Sequence, residues 1–122
     1  MPEKKKAADL LPLPMEKLTQ PAILLLLHRK EAHGYDLIQK LSQSRFIESD
    51  PDTATVYRTL RRMDQEGLVV SSWRHGESGP ARREYHLTPE GQKLLEDWIA
   101  RLEERKQQID SFIGYYRETK GD

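Results

Sequence analysis

The longest uninterrupted apolar run, Ala22–Leu27, sits in a segment from Thr19 or Gln20 to about Arg29 that is apolar on nearly all sides. A helix of that kind is buried between two surfaces rather than laid against one. Pro21 falls in its first turn, where the missing N–H costs nothing. His33-Gly34 breaks the chain, and Leu37, Ile38 and Leu41 then share one side of a short second helix over Tyr35–Ser42. Asp50 is a good N-cap and Pro51 a good first helical residue, so a third helix begins there. It stops at Gly67, which follows Glu66 as a C′ glycine should. Leu68–Trp73 and Arg83–Leu87 are strand-like, and Arg74–Arg82 between them carries Gly76, Gly79 and Pro80, the turn chemistry of a long hairpin loop. Thr88-Pro89-Glu90 caps a last helix that continues to about Arg117, roughly 40 Å long. That is too long to be contained in a compact monomer of this size.

Three helices, a hairpin and a long helix make a mainly α fold with a small β-hairpin: a winged helix-turn-helix plus a long C-terminal dimerisation helix. The expected organisation is a mobile N-terminal arm over 1–18, a winged-helix domain over 19–88, a C-terminal dimerisation helix over 89–117 and a tail over 118–122. The arm combines Lys4, Lys5 and Lys6 with Pro2, Pro12 and Pro14, and offers Leu10, Leu11 and Leu13 to a partner subunit. Apolar residues make up 36% of the 122 positions and charged ones 33%, against about 45–50% and a quarter in ordinary domains. Such a chain has a thin core or gains more by pairing with itself. No apolar run approaches the roughly 20 residues of a bilayer span. Nor does an apolar stretch with a cleavage site follow the lysines, so a soluble cytoplasmic protein is expected. With no cysteine, disulfides, thiolate metal sites and cysteine nucleophiles are excluded.

The zero net charge conceals an uneven distribution. Residues 53–83 carry Arg58, Arg61, Arg62, Arg74, Arg82 and Arg83 against Asp64, Glu66 and Glu77, a net of +3. Residues 84–122 carry six basic and nine acidic side chains, a net of −3. A polyanion would sit on the middle of the chain. On a wheel of the third helix, Val56, Leu60 and Met63 fall together toward a core. Thr55, Arg58 and Arg62 fall opposite, flanked by Thr59 and Gln65, with Thr53 near the helix start. Guanidiniums there can read guanine bidentately, and short hydroxyls suit phosphates or base edges. The bland reading is a solvated arginine face balanced by Asp64 and Glu66. The hairpin weighs against it, because Arg74, His75, Arg82 and Arg83 cluster at a Gly-rich tip, a wing suited to gripping phosphates or a minor groove. Tyr57 lies between the two faces and is expected to pack in the core.

The stretches Ile23–Leu27, His33-Gly34-Tyr35-Asp36-Leu37, Thr55-Val56-Tyr57-Arg58-Thr59-Leu60, Glu66-Gly67-Leu68-Val69 and Arg83–Gly91 resemble the PadR family of transcriptional regulators, across about residues 20–117. Gly79-Pro80-Ala81-Arg82-Arg83 and the Val-Tyr-Arg-Thr-Leu core look most like the polyhydroxybutyrate-responsive repressor branch. One departure stands out: many PadR-like proteins have Leu-Tyr-Pro where this chain has Val56-Tyr57-Arg58, so a helix-kinking proline is absent. Ala54–Leu60 is also similar to the recognition helix of the Fur family of metal-responsive repressors. The likeness ends there, since His28, His33, His75 and His86 have no chelating spacing and no metal or other cofactor is expected. The PadR resemblance implies that Tyr35 touches the DNA backbone; alternatively its ring packs on the third helix with only the hydroxyl exposed.

Leu95, Leu102, Ile109 and Tyr116 recur every seven residues, with Trp98, Arg105 and Phe112 as companions and Ile99 and Ile113 widening the stripe. An apolar seam of that length requires a partner, and the PadR resemblance also implies a homodimer. Arg105 interrupts the seam, either specifying register or pairing with Glu103 or Glu104 across the dimer. The resemblance further implies a cavity between the C-terminal helices for a small apolar or polymeric effector, polyhydroxybutyrate or an aromatic compound. Trp98 and Phe112 would line it, or they are simply dimer-core aromatics. No catalytic constellation is present: Gly76-Glu77-Ser78-Gly79 lacks the spacing of a nucleophile elbow, and no Gly-rich loop ends in Lys-Ser/Thr. The expected function is therefore sequence-specific DNA binding by a homodimer on a palindromic double-stranded operator, as an effector-responsive repressor. The alternative is a winged helix that binds protein without specific DNA recognition.

Overall fold

A computed structural model describes residues 18–44, 52–74 and 79–121. Expectations about the N-terminal arm, Asp50-Pro51 and the wing-tip residues His75, Gly76 and Glu77 lie outside the described residues. The elements are α1 (Thr19–Arg29), β1 (Ala32–His33), α2 (Gly34–Gln43), α3 (Thr53–Gln65), β2 (Val69–Arg74), β3 (Arg82–Leu87) and α4 (Pro89–Gly121). The three strands form one antiparallel sheet in the order β1-β3-β2.

One core unites every helix and the sheet. Ile23 and Leu24 of α1 meet Leu37 and Leu41 of α2, Val56, Leu60 and Met63 of α3, Val69 of β2, Tyr85 of β3 and Leu95 of α4. Ile23, Leu24, Leu37, Val56, Leu60 and Met63 have no exposed surface, and each such side chain contributes about 1.5–3 kcal/mol of burial. α1 is the hub, as its nearly all-round apolar character predicts, but Leu25 and Leu26 stay half-buried.

The chain direction changes at glycines and hydroxyls. Gly67 adopts φ 77° and closes α3 with a paired motif: its N–H donates to the Asp64 carbonyl at 3.1 Å, and the Leu68 N–H donates to that of Met63 at 2.9 Å. At the start of α4 the Thr88 hydroxyl accepts from the Gly91 N–H at 3.0 Å and donates to the Gly67 carbonyl at 2.6 Å. The N-cap of α4 is thereby tied to the C-cap of α3. Gly91 is buried there, and a Cβ on it would overlap the Leu68 carbonyl oxygen. Only a glycine lets α4 leave the sheet so close to this backbone.

Three boundaries differ from expectation. β1 has no sequence signal, since two residues carry no period; pairing of Ala32 with Tyr85 and His33 with Glu84 creates it. α3 starts at Thr53 with Asp52 extended at its N-cap, later than Asp50-Pro51 suggested. Asp52 is as suitable a cap type as Asp50, so local chemistry leaves the choice open. α4 runs on through the expected tail to Gly121, because nothing between Arg117 and Lys120 breaks a helix and Lys120 suits the C-terminal dipole. At 33 residues it is about 50 Å long.

Candidate nucleic-acid interface

α3 presents Thr53, Ala54, Arg58, Arg61, Arg62 and Gln65 to solvent, and Thr55 is half-buried. Thr59 does not belong with them. It is buried at 8% exposure, and its hydroxyl donates to the Thr55 carbonyl at 2.8 Å. The correction follows from geometry: Thr59 lies about 40° from Met63 around a helix of 3.6 residues per turn, on the core side. The exposed face is thus rotated toward Arg61 and Gln65, and Arg58 and Arg62 remain on it. α3 is unbroken through Arg58, where the proline would have stood.

The wing presents its arginines unequally. In the β2–β3 register Trp73 opposes Arg83 and Arg74 opposes Arg82. The Arg83 guanidinium lies 5.6 Å from the centroid of the Trp73 ring, a cation–π contact. Arg74, expected to grip phosphate, is exposed, and its Nε is 3.2 Å from Glu84 Oε1. His86 Nε2 approaches the same oxygen at 3.0 Å. Arg82 and Arg83 are exposed.

Between α3 and the wing lies a cleft of about 930 Å³. Tyr57, Arg61, Asp64 and Gln65 line it from α3, Trp73, Arg82, Arg83 and Tyr85 from the hairpin, and His33, Gly34 and Tyr35 from the β1–α2 junction. Tyr57 is not in the core: it is 42% exposed, and its ring edge fills the space a side chain on Gly34 would need. Tyr35 is 58% exposed, and its hydroxyl accepts from Gln39 Nε2 at 3.0 Å. The Asp64 carboxylate accepts from the Ser71 hydroxyl at 3.2 Å, joining α3 to β2. Burial holds the Tyr85 hydroxyl above the usual tyrosine pKa, partly offset by the adjacent Arg83 charge.

Sequence reasoning did not assign Arg61, Trp73 or Asp64 to a site. The helical spacing of Tyr57, Arg61 and Asp64 was a usable signal. Trp73 was not reachable in the same way, because a wing loop of open length leaves the β2–β3 register undetermined.

The C-terminal seam divides in two. Leu95 is buried in the core, Trp98 is half-buried against it, and Leu102 is half-buried. Ile99, between Trp98 and Leu102, is exposed, as are Ile109, Phe112, Ile113 and Tyr116 farther along, Phe112 at 79%. Among the described residues no group of histidines and carboxylates is arranged to hold a metal ion, and no helix is long and apolar enough to cross a membrane.

The model of the PadR-like family of transcriptional regulators matches residues 23–97, from the first helix through the wing into α4. The chain belongs to this family. PadR-like proteins are regulators rather than enzymes, and a transcriptional regulator of Mycobacterium tuberculosis is similar at 35% identity over 112 residues, covering 88% of this chain and 98% of the relative. A PadR family regulator from Clostridium difficile shares 28% identity with a TM-score of 0.69, over 79% of this chain and 98% of that one. Bacillus subtilis PadR, solved with operator DNA, is similar in fold at 24% identity and TM-score 0.62, over 68% of this chain and 47% of its own.

Proposed function

We propose that this PadR-like protein is a homodimeric, effector-responsive repressor that binds a palindromic duplex operator in the cytoplasm. The observation that carries the DNA reading is the exposed arginine face of α3, with Arg58, Arg61 and Arg62 beside Arg82 and Arg83 of the wing. Arg58 and Arg62 read base edges from the major groove, with Thr53 and Thr55 at the groove-facing end of α3. Arg82, Arg83 and Tyr35 hold phosphates and carry little sequence information.

The exposed stripe from Ile109 to Tyr116 supports dimerisation, since a partner's α4 would bury apolar surface that a lone chain leaves in water. Two-fold symmetry then sets two copies of α3 about one helical turn of DNA apart. An effector seated between the paired α4 helices, against Trp98 and Phe112, changes their angle and hence the spacing of the reading helices. Polyhydroxybutyrate or an aromatic compound fits such an apolar chamber. Identical α4 separation in free and effector-bound crystals would refute this coupling.

Selection of genomic fragments by the purified protein at two salt concentrations tests the reading. A recovered palindrome whose affinity falls steeply with salt is expected. Arg58→Ala or Arg62→Ala should relax operator choice at a cost of about 1–3 kcal/mol, whereas Arg83→Ala should weaken all duplexes alike. Uniformly weak, salt-insensitive binding would instead identify a protein-docking winged helix.

A further inference from the structure

The cleft between α3 and the wing offers more aromatic surface than a duplex uses. Tyr35, Tyr57 and Trp73 line it, all of them exposed and Trp73 at 63%. Large rings left in water along one cleft fit a flat partner. Arg61, Arg82 and Arg83 line the same space, with Asp64 as its carboxylate. The ion pairs among the described residues both fall on Glu84, with Arg74 and His86, so neither engages these three guanidiniums. A duplex turns base edges, not base faces, toward a protein; it supplies phosphates for the arginines but nothing flat for the rings. An unpaired strand supplies both, phosphates along its backbone and base faces beside them.

The walls are formed in advance. Trp73 opposes Arg83 across the hairpin, and the Arg83 guanidinium lies over its ring. Aromatic rings and guanidinium planes both accept a stacked base, so the pair makes one platform on the wing. Tyr57 stands on the α3 wall. A Cβ at Gly34 would stand 2.5 Å from its Cε1, so the glycine makes room for that ring at the cleft edge. The Ser71–Asp64 hydrogen bond fixes α3 against β2 and occupies part of a carboxylate that would otherwise repel a strand.

We infer that this cleft is a stacking platform for unpaired nucleotides, a second nucleic-acid activity beside duplex binding. A short single strand lays its phosphates on Arg61, Arg82 and Arg83 and its bases against Tyr35, Tyr57 and Trp73. Recognition tolerates any sequence, since every base has a π face. The strand and a duplex exclude each other, because both require the arginines between α3 and the wing. That exclusion rests on the duplex reading above; the stacking site itself does not.

Anisotropy titration of the full-length protein against labelled decathymidylate, at one fixed low salt concentration, tests the site. A decamer of abasic sites carries the same phosphates without bases. Saturable binding of decathymidylate is expected, at least about tenfold tighter than that of the abasic strand. Trp73→Ala should weaken decathymidylate about tenfold or more and the abasic strand by no more than about twofold. Trp73→Phe keeps a ring and should restore most of the loss. Trp73 is exposed, so both variants keep the fold, which a thermal melt verifies. In Trp98→Phe protein the emission of Trp73 should be quenched by decathymidylate and not by the abasic strand. An unlabelled random-sequence duplex, which needs no known operator, should displace decathymidylate. Equal affinity for the two strands, parental binding by Trp73→Ala, or simultaneous binding of decathymidylate and duplex would each overturn the proposal. Duplex binding that persists in the first two cases leaves the DNA reading standing. Decathymidylate binding where duplex binding fails upholds the site and refutes the duplex reading instead. Decauridylate separates RNA from DNA as the source of the strand, and a preference for either upholds the site.

Discussion

Replacing Gly91 and Gly114 by alanine, both within α4, should move stability in opposite directions. In an open helix the change gains about 1 kcal/mol, because alanine loses less backbone freedom on folding. At Gly114 nothing lies within 4 Å of the new Cβ, and the position is about 140° around the helix from Ile109, off the seam. The full gain is expected there. At Gly91 the new Cβ overlaps the Leu68 carbonyl oxygen and stands 2.6 Å from Leu87 Cδ1. The leucine methyl can turn aside, but the carbonyl belongs to a segment fixed from both sides, by the α3 cap and by the Thr88 N–H donating to that same oxygen at 3.1 Å. Overpacking against such a backbone costs about 2–3 kcal/mol, so Gly91→Ala should lose about 1–2 kcal/mol net. For a chain of this length that lowers Tm by about 4–10 °C, while Gly114→Ala raises it by a few degrees. Thermal unfolding followed by circular dichroism at equal protomer concentration makes the comparison. A Tm for Gly91→Ala equal to or above that of the parent would refute the close approach of α4 to Leu68, and with it the rigid coupling between α4 and α3.

Phe112→Glu should dissociate the proposed dimer: losing about 1.5–3 kcal/mol of burial twice, by symmetry, raises its Kd about 10²–10⁴-fold. Sedimentation equilibrium measures this, and an unchanged dimer would place the interface elsewhere. Glu84→Gln should free Arg74 for phosphate and steepen the logarithmic salt dependence of DNA binding by about 0.9 per protomer. Anisotropy titrations across several salt concentrations read that slope, and no change means Arg74 was already available. Tyr85 has a raised pKa caused by burial, so its contribution is complete below the unfolded value and is lost as pH climbs from about 10 through the folded value. Tyr85→Phe should flatten that alkaline decline in melts taken between about pH 9 and 11; an equal decline in both proteins would exclude Tyr85 as its source.

Hydrophobic period and cap chemistry made most of the fold legible before any coordinates. Every helix appeared in order, with core-facing residues named on α2 and α3, because a buried stripe repeats every few positions and Gly67, Thr88 and Pro89 mark element ends; Leu95 and Trp98, read as dimer seam, pack instead on this chain's own core. Thr59 went astray for a definite reason. It sits at the edge of the stripe, where a wheel gives an angle but not the width of the surface packed against it. Val56, Leu60 and Met63 defined the centre of that surface; the sheet and α2 determined how far it extends.

The amino-acid order by itself determined the helix-helix-helix-hairpin-helix plan, the concentration of arginine between residues 53 and 83, and an apolar seam too long for one chain to cover. These are properties of neighbouring or regularly spaced residues, and local sterics and hydrophobic periodicity suffice to read them. Only the tertiary structure decided that Ala32-His33 is a strand, that Arg74 is held by Glu84 and that Trp73 stands under Arg83. It alone brought Tyr57 against Gly34 and opened a cleft between α3 and the wing. Each of those depends on strand register or on the packing of residues distant in the chain, and neither is a function of local sequence.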